Sequence, residues 1–161
     1  MSDYHGQSHD LFATCPKGIE GLLREELLAL GAAPVKETVA GCGFSGSLET
    51  AYRVCLWSRF ATQVLLPLGH FPCDGPDALY AGARDIDWTE HLGSDATFAV
   101  NFGGTIAGIN NTQYGAQRVK DAVVDICRER TGERPNVDRS LPQIRIAVRG
   151  HRGEATVSLS L

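Results

Sequence analysis

Apolar positions recur along this chain at two spacings, and the change from one to the other marks its elements. Leu11-Phe12-Ala13-Thr14-Cys15 is a short apolar run that predicts a strand, ended by Pro16 and Gly18. From about Gly18 the spacing becomes helical. Ile19, Leu22, Leu23, Leu27 and Leu30 form one stripe, and Gly31 is the natural stop. Residues 35–40 and 42–46 predict two strands joined tightly near Gly41. Ser47 can cap a helix from Leu48 to about Arg59, where Leu48, Ala51, Tyr52, Cys55 and Leu56 keep helical spacing. Residues 62–68 read as the next strand. The order β-α-β-β-α-β is the ferredoxin-like plan, with two helices on one face of an antiparallel sheet.

The turn-rich stretch Phe71-Pro72-Cys73-Asp74-Gly75-Pro76 is the best candidate boundary. After it, residues 78–83 suggest a helix, and Asp85-Ile86-Asp87-Trp88 a turn anchored by a buried tryptophan. Thr97 to Phe102 predicts a strand ended by Gly103-Gly104. A long helix follows over roughly 111–130, with Val119, Ala122, Val123, Ile126 and Cys127 on its buried face. Asn110 with Gln113 three residues later resembles a capping box at its start. Residues 144–148 and 155–161 alternate and predict a hairpin across Gly150–Gly153. The expected class is therefore α+β: a loose polar tail over 1–10, a ferredoxin-like subdomain over 11–73, and an α/β domain over 74–161. Leu161 falls within an alternating run, which points to an excised piece of something larger.

Composition adds constraints. No apolar run approaches the roughly 20 residues of a membrane span, and the polar N-terminus has no signal-peptide pattern. The five cysteines are odd in number and widely spaced, with no CxxC. That favours reduced thiols in a cytoplasm over a disulfide framework or a zinc site. The five histidines show no metal-ligand spacing either. A net charge of −4 disfavours nucleic acid at first sight. Its distribution reverses that impression: residues 1–110 carry 6 basic and 13 acidic side chains, and residues 111–161 carry 9 basic and 6 acidic. The C-terminal third is the anion-facing part.

No nucleophile elbow, HExxH or P-loop occurs, so no catalytic centre and no metal site are expected. Gly41-Cys42-Gly43-Phe44-Ser45-Gly46 matches GxGxxG, but Gly46 precedes the cap Ser47 and Phe44-Ser45 continue a strand, so a hairpin accounts for it. Asp85 and Asp87 beside Trp88 read as turn-forming groups. Lys17, next to Gly18 near the first helix start, is either an anion contact or a solvated loop residue. On the long helix, Gln113, Gln117 and Lys120 lie off the buried stripe, where a polar face is either solvated or presented to a partner. Arg134, Asn136, Arg139, Arg145 and Arg149 carry forked or amide donors suited to phosphates, and the arginines could converge near the helix start. Asp138 could orient one of them or pin the loop.

Phe12-Ala13-Thr14-Cys15-Pro16-Lys17-Gly18-Ile19-Glu20, with Leu23, Glu25-Glu26-Leu27 and Gly31, resembles the opening of THUMP-containing RNA methyltransferases. Leu56-Trp57-Ser58-Arg59 and Ile86-Asp87-Trp88-Thr89-Glu90 continue the likeness. Thr97-Phe98-Ala99-Val100, Asn111-Thr112-Gln113-Tyr114-Gly115-Ala116, Val119-Lys120-Asp121-Ala122 and Arg134-Pro135-Asn136-Val137-Asp138-Arg139 are similar to one subgroup. It comprises the bacterial 23S rRNA guanine-N2 methyltransferases, fused in some bacteria to a guanine-N7 methyltransferase. The resemblance implies a ferredoxin-like subdomain followed by a THUMP domain, together an RNA-binding module. It also implies that the S-adenosylmethionine site and the catalytic loop belong to a parent enzyme beyond Leu161, so the fragment itself needs no cofactor. The expected partners are 23S rRNA, as a hairpin, and the missing methyltransferase domain, with no membrane and no DNA. The expected contacts are Lys17, Asn111, Gln113, Tyr114, Arg118, Lys120, Arg134, Asn136, Arg139 and Arg145. The rival readings are a small-molecule regulatory module and a docking module for its own catalytic domain.

Overall fold

The computed structural model describes residues 6–93 and 95–161. Residues 1–5 of the expected tail lie outside the described residues, and His9 and Asp10 already belong to the first strand. Contacts divide the chain into two units, Met1–Pro67 with Ser160–Leu161, and Leu68–Leu159.

The first unit contains β1 (His9–Thr14), α1 (Glu20–Ala29), β2 (Val35–Thr38), β3 (Gly41–Gly46), α2 (Leu48–Trp57) and the start of β4 (Gln63–Pro72). Its strands lie in the order β2-β3-β1-β4, each neighbouring pair antiparallel, which is the ferredoxin-like arrangement. Its core joins Leu11 and Ala13 of β1, Leu23 and Leu27 of α1, Cys42 and Phe44 of β3, and Ala51 and Val54 of α2. The helical stripes are narrower than the spacing predicts. Leu22 is 49% exposed, and on α2 Tyr52, Cys55 and Leu56 face outward while Ala51 and Val54 are buried. A short helix on a sheet buries only positions three or four apart, so apolar residues one step off that line turn to solvent. The glycine-rich stretch is strand β3, and Ser47 Oγ accepts the Thr50 amide at 3.2 Å to cap α2. The reversal before β3 falls at Ala40 (φ 60°), ahead of Gly41. Ala40 is fixed there because its amide donates to the Glu20 carboxylate at 2.9 Å. Gly41 serves contact instead: a Cβ there would lie 2.6 Å from the Phe12 ring.

The second unit holds the rest of β4, α3 (Pro76–Arg84), a 3-10 turn (Trp88–Glu90), β5 (Thr97–Gly104), α4 (Thr112–Thr131), β6 (Asn136–Val137), β7 (Ile144–His151) and β8 (Glu154–Ser160). Here the order is β4-β8-β7-β5-β6, with β5 parallel to both β6 and β7. Phe71 and Pro72 of the expected joint end strand β4, where a proline is tolerated. Trp88 is fully buried and donates its Nε1–H to the Ala83 carbonyl at 2.8 Å. Asp87 accepts from the Thr89 amide and hydroxyl, so it forms the turn as its sequence setting indicates. The α4 stripe is buried as its spacing requires, with Val119, Ala122, Val123, Ile126 and Cys127 all in the core. The α3–α4 contact carries polar ties as well: the Tyr80 hydroxyl donates to Asp125, and Arg84 pairs with Glu129.

Candidate functional site

Helix α4 is capped by Asn111, one residue later than the capping pattern places the cap. Asn111 has extended backbone (φ −142°, ψ 153°), and its Oδ1 accepts the Tyr114 amide at 2.7 Å. The amides of Thr112 and Gln113 find no acceptor among the described residues, as expected in a first helical turn. These two residues open one wall of a cleft of about 280 Å³. Ala116, Gln117 and Lys120 continue that wall along α4. The 3.6-residue period therefore places Gln113, Gln117 and Lys120 on one stripe, and the structure turns that stripe to the cleft.

The opposite wall is the edge of β5 at Ala99, Val100, Asn101 and Phe102. This edge is open because β6 pairs only with Thr97 and Phe98. Asp138 N donates to Phe98 O at 3.1 Å, which identifies the side of β5 that Phe98 presents to β6. Peptide groups alternate along a strand, so those of Val100 and Phe102 point the same way, into the cleft. Val137 and Arg139 close the end. Arg139 is exposed and forms no ion pair among the described residues. The Asp138 carboxylate does not orient it: Oδ1 accepts the amides of Ser140 at 2.9 Å and Leu141 at 3.2 Å, and so holds the loop. Lys120 Nζ donates to Gln117 Oε1 at 3.3 Å, and Gln117 Nε2 donates to Asp121 at 2.8 Å. The cleft thus offers two cations, one fixed amide, free helix-start amides and free strand-edge peptides.

The structure brings Gln113, Lys120 and Arg139 together here, with Asn111 as the cap that sets the helix start. Tyr114 is 42% exposed at the first turn but does not line the cleft. Arg118 is engaged elsewhere: it donates to the Pro76 carbonyl and to Asp77, and its guanidinium lies 4.7 Å from the Tyr80 ring centroid. Arg134 and Asn136 are exposed outside the cleft lining. Arg145 stands on β7, and Lys17 belongs to the first unit, exposed between β1 and α1. The arginines therefore do not converge on the helix start, and Arg139 alone reaches the cleft. Sequence reasoning missed the edge of β5, because a two-residue β6 leaves no periodic signal.

The two cysteines of the second unit are unsuited to nucleophilic use. Cys73 and Cys127 are buried, and burial pushes both thiols up, so neither supplies a thiolate. A second cleft in this unit, lined by Phe71, Asp85, Asp87, Glu90 and His91 among others, has an acidic rim unsuited to phosphate. No helix among the described residues is long and apolar enough to cross a membrane.

Two family models match the chain: the RlmL ferredoxin-like domain over residues 10–65 and the THUMP domain over residues 75–160. The chain is 51% identical over 153 residues to the ribosomal RNA large subunit methyltransferase K/L of Pseudomonas savastanoi pv. phaseolicola, covering 95% of this chain and 20% of that protein. The relative from Pseudomonas aeruginosa is 47% identical, with 95% and 21% covered. The chain thus spans about a fifth of the length of these curated relatives. Among solved structures, a predicted N6-adenine-specific DNA methylase from Listeria monocytogenes shares the fold at a TM-score of 0.83 and 24% identity, over 98% of this chain and 41% of that one.

Proposed function

The chain belongs to the THUMP-domain family, and from that premise we propose that it is an RNA-binding module that holds folded 23S rRNA for guanine-N2 methylation by another part of a longer parent protein. The observation that carries this reading is the cleft between α4 and the open edge of β5, where Lys120 and Arg139 stand beside unpaired helix-start amides. Cations and amide donors suit phosphate oxygens, and RNA held by shape and backbone needs these types more than a base-reading code. The relatives' name supports the substrate class, and their greater length supports a separate catalytic part. Lys17, Asn111, Tyr114, Arg118, Arg134, Asn136 and Arg145 remain in the proposal as contacts or supports outside the cleft lining. The GxGxxG match of this chain is strand β3, with no helix start inside it, and the methyltransferase name of the relatives belongs to proteins about five times its length. We therefore assign S-adenosylmethionine and methyl transfer to the parent.

The test is titration of the 161-residue chain with a 23S rRNA stem-loop at rising salt. Phosphate binding gives a linear fall of log K with log salt, with a slope of roughly 0.7 to 0.9 per contact. Absence of binding at low salt sinks the reading. A docking role for the first unit is the second reading, favoured by Tyr52, Leu56 and Trp57, which stand 58–75% exposed on or beside one face of α2. It predicts association with the separately produced methyltransferase part and loss of that association in Leu56→Asp.

A further inference from the structure

One face of the sheet in the second unit is lined by the core, and the other carries an arginine track. On β7, Ile144, Ile146 and Val148 pack into the core, and on β5 Phe98, Val100 and Phe102 do the same. Side chains alternate across a strand, so Arg145, Ala147 and Arg149 share the opposite face with Ala99, Asn101 and Gly103. The parallel register sets these in rows: Arg145 beside Ala99, Ala147 beside Asn101, Arg149 beside Gly103. Arg145, Arg149 and Asn101 are exposed, Ala147 and Gly103 are half-buried and Ala99 is buried beneath them, and neither arginine has an ion-pair partner among the described residues. Four residues of strand separate the arginines by about 13 Å, with only small side chains and one amide between them. A sugar–phosphate chain can therefore lie close to this face and meet a guanidinium at each end.

Ala99 and Asn101 connect this face to the cleft. They belong to the arginine face by register and also line the cleft at the edge of β5. A strand edge is only one residue thick, so a polyanion held by Lys120 and Arg139 has a short path around β5 to Arg145 and Arg149. We propose that the RNA backbone follows this path: it leaves the cleft at the exposed Asn101 and crosses the arginine face of the sheet, where Arg145 and Arg149 hold two further phosphates. This rests on the RNA-binding reading and adds to it a second surface and a residue, Arg149, outside the expected contacts. The chemistry is that of an RNA backbone, because the floor offers no aromatic ring for stacking and no array of amides for base edges.

The experiment uses polyuridylate, which isolates backbone binding, and the 161-residue chain with Arg145→Ala, Arg149→Ala, both together, Arg149→Lys, Lys120→Ala and Arg128→Ala. These side chains stand at partly or fully exposed positions outside the core, and circular dichroism checks that each variant is folded. Each single Arg145 or Arg149 substitution is expected to reduce the slope of log K against log salt by roughly 0.7, and the double by about twice that. Arg149→Lys is expected to keep the slope. Arg128, whose exposed guanidinium bonds Asp125 on α4, is the control and should leave the slope unchanged. If Lys120→Ala lowers the slope while the double variant does not, the second surface is overturned and the cleft stands alone. An equal drop for Arg128→Ala overturns it too, since binding is then diffuse attraction. No salt-dependent binding by the unaltered chain overturns the RNA-binding reading itself.

Discussion

Lys120 and Arg139 reach one cleft from different elements, whereas Arg118, only two residues from Lys120, is committed to α3. That difference gives opposite expectations for three similar substitutions. Lys120→Ala and Arg139→Ala should each weaken RNA binding severalfold at low salt and reduce the salt slope by roughly 0.7 to 0.9, with little change in melting temperature. Arg118→Ala should instead lower stability by about 1 kcal/mol, through loss of the stacking over Tyr80 and the bonds to α3, with little change in slope. Fluorescence anisotropy and thermal melts on the three variants separate the outcomes, and an Arg118→Ala slope matching that of Lys120→Ala would contradict the division. The sequence shows the stripe Gln113–Gln117–Lys120, because helical spacing is a local property. It does not show that Arg118 finds the ring of Tyr80, because that pairing spans 38 positions and depends on how α3 docks.

At the scale of elements, two contacts set the geometry and each can be perturbed alone. Gly115 sits where α4 meets β5, and a Cβ there would come within 2.6 Å of the Phe102 ring. Ala is the better helix former by about 1 kcal/mol. Overpacking against an aromatic ring typically costs 1–3 kcal/mol, so Gly115→Ala should be net destabilising. It should also widen the cleft, since Phe102 lines it. A rise in denaturation midpoint for this variant would show that the ring yields freely. In the first unit, Glu20 accepts the amides of Gly18 at 2.8 Å and Ala40 at 2.9 Å, joining α1 to the β2–β3 turn. Its own backbone amide, then those of Ala40 and Gly18, hold its carboxyl below the usual carboxylate range. A depressed folded pKa means stability that is fully present above the unfolded value and is lost as pH falls through the folded one. Thermal melts should therefore show a loss below about pH 4.5 that is smaller in Glu20→Gln than in the unaltered chain. Equal losses in both would remove Glu20 from the account. Strand and helix order was legible because its periods are local. The narrow burial of α1 and α2 was not, because the width of a buried stripe depends on the sheet beneath it.

For the molecule as a whole, two separate clusters of buried residues decide how it fails. Leu23, Leu27 and Val54 belong to one core, and Trp88, Phe98, Val123 and Ile146 to the other. The ferredoxin-like order was legible from β-α-β-β-α-β alone, and the charge asymmetry pointed to the unit that carries the cleft. The two-residue β6 and the open edge beside it were not legible, since no pattern states where pairing stops. The clusters share no buried residue, so damage to one should be felt mainly in its own unit. Leu27 is fully buried, and Leu27→Ala should cost about 2–5 kcal/mol through lost transfer energy and the cavity left behind. Native-state hydrogen exchange followed by mass spectrometry would locate that loss. Peptides from α1, β1 and β3 should lose protection, while those from α4 and β7 keep theirs and RNA binding at low salt persists. Equal loss in α4 would mean that the two cores unfold as one cooperative body, and the cleft could then not be treated as a property of the second unit alone.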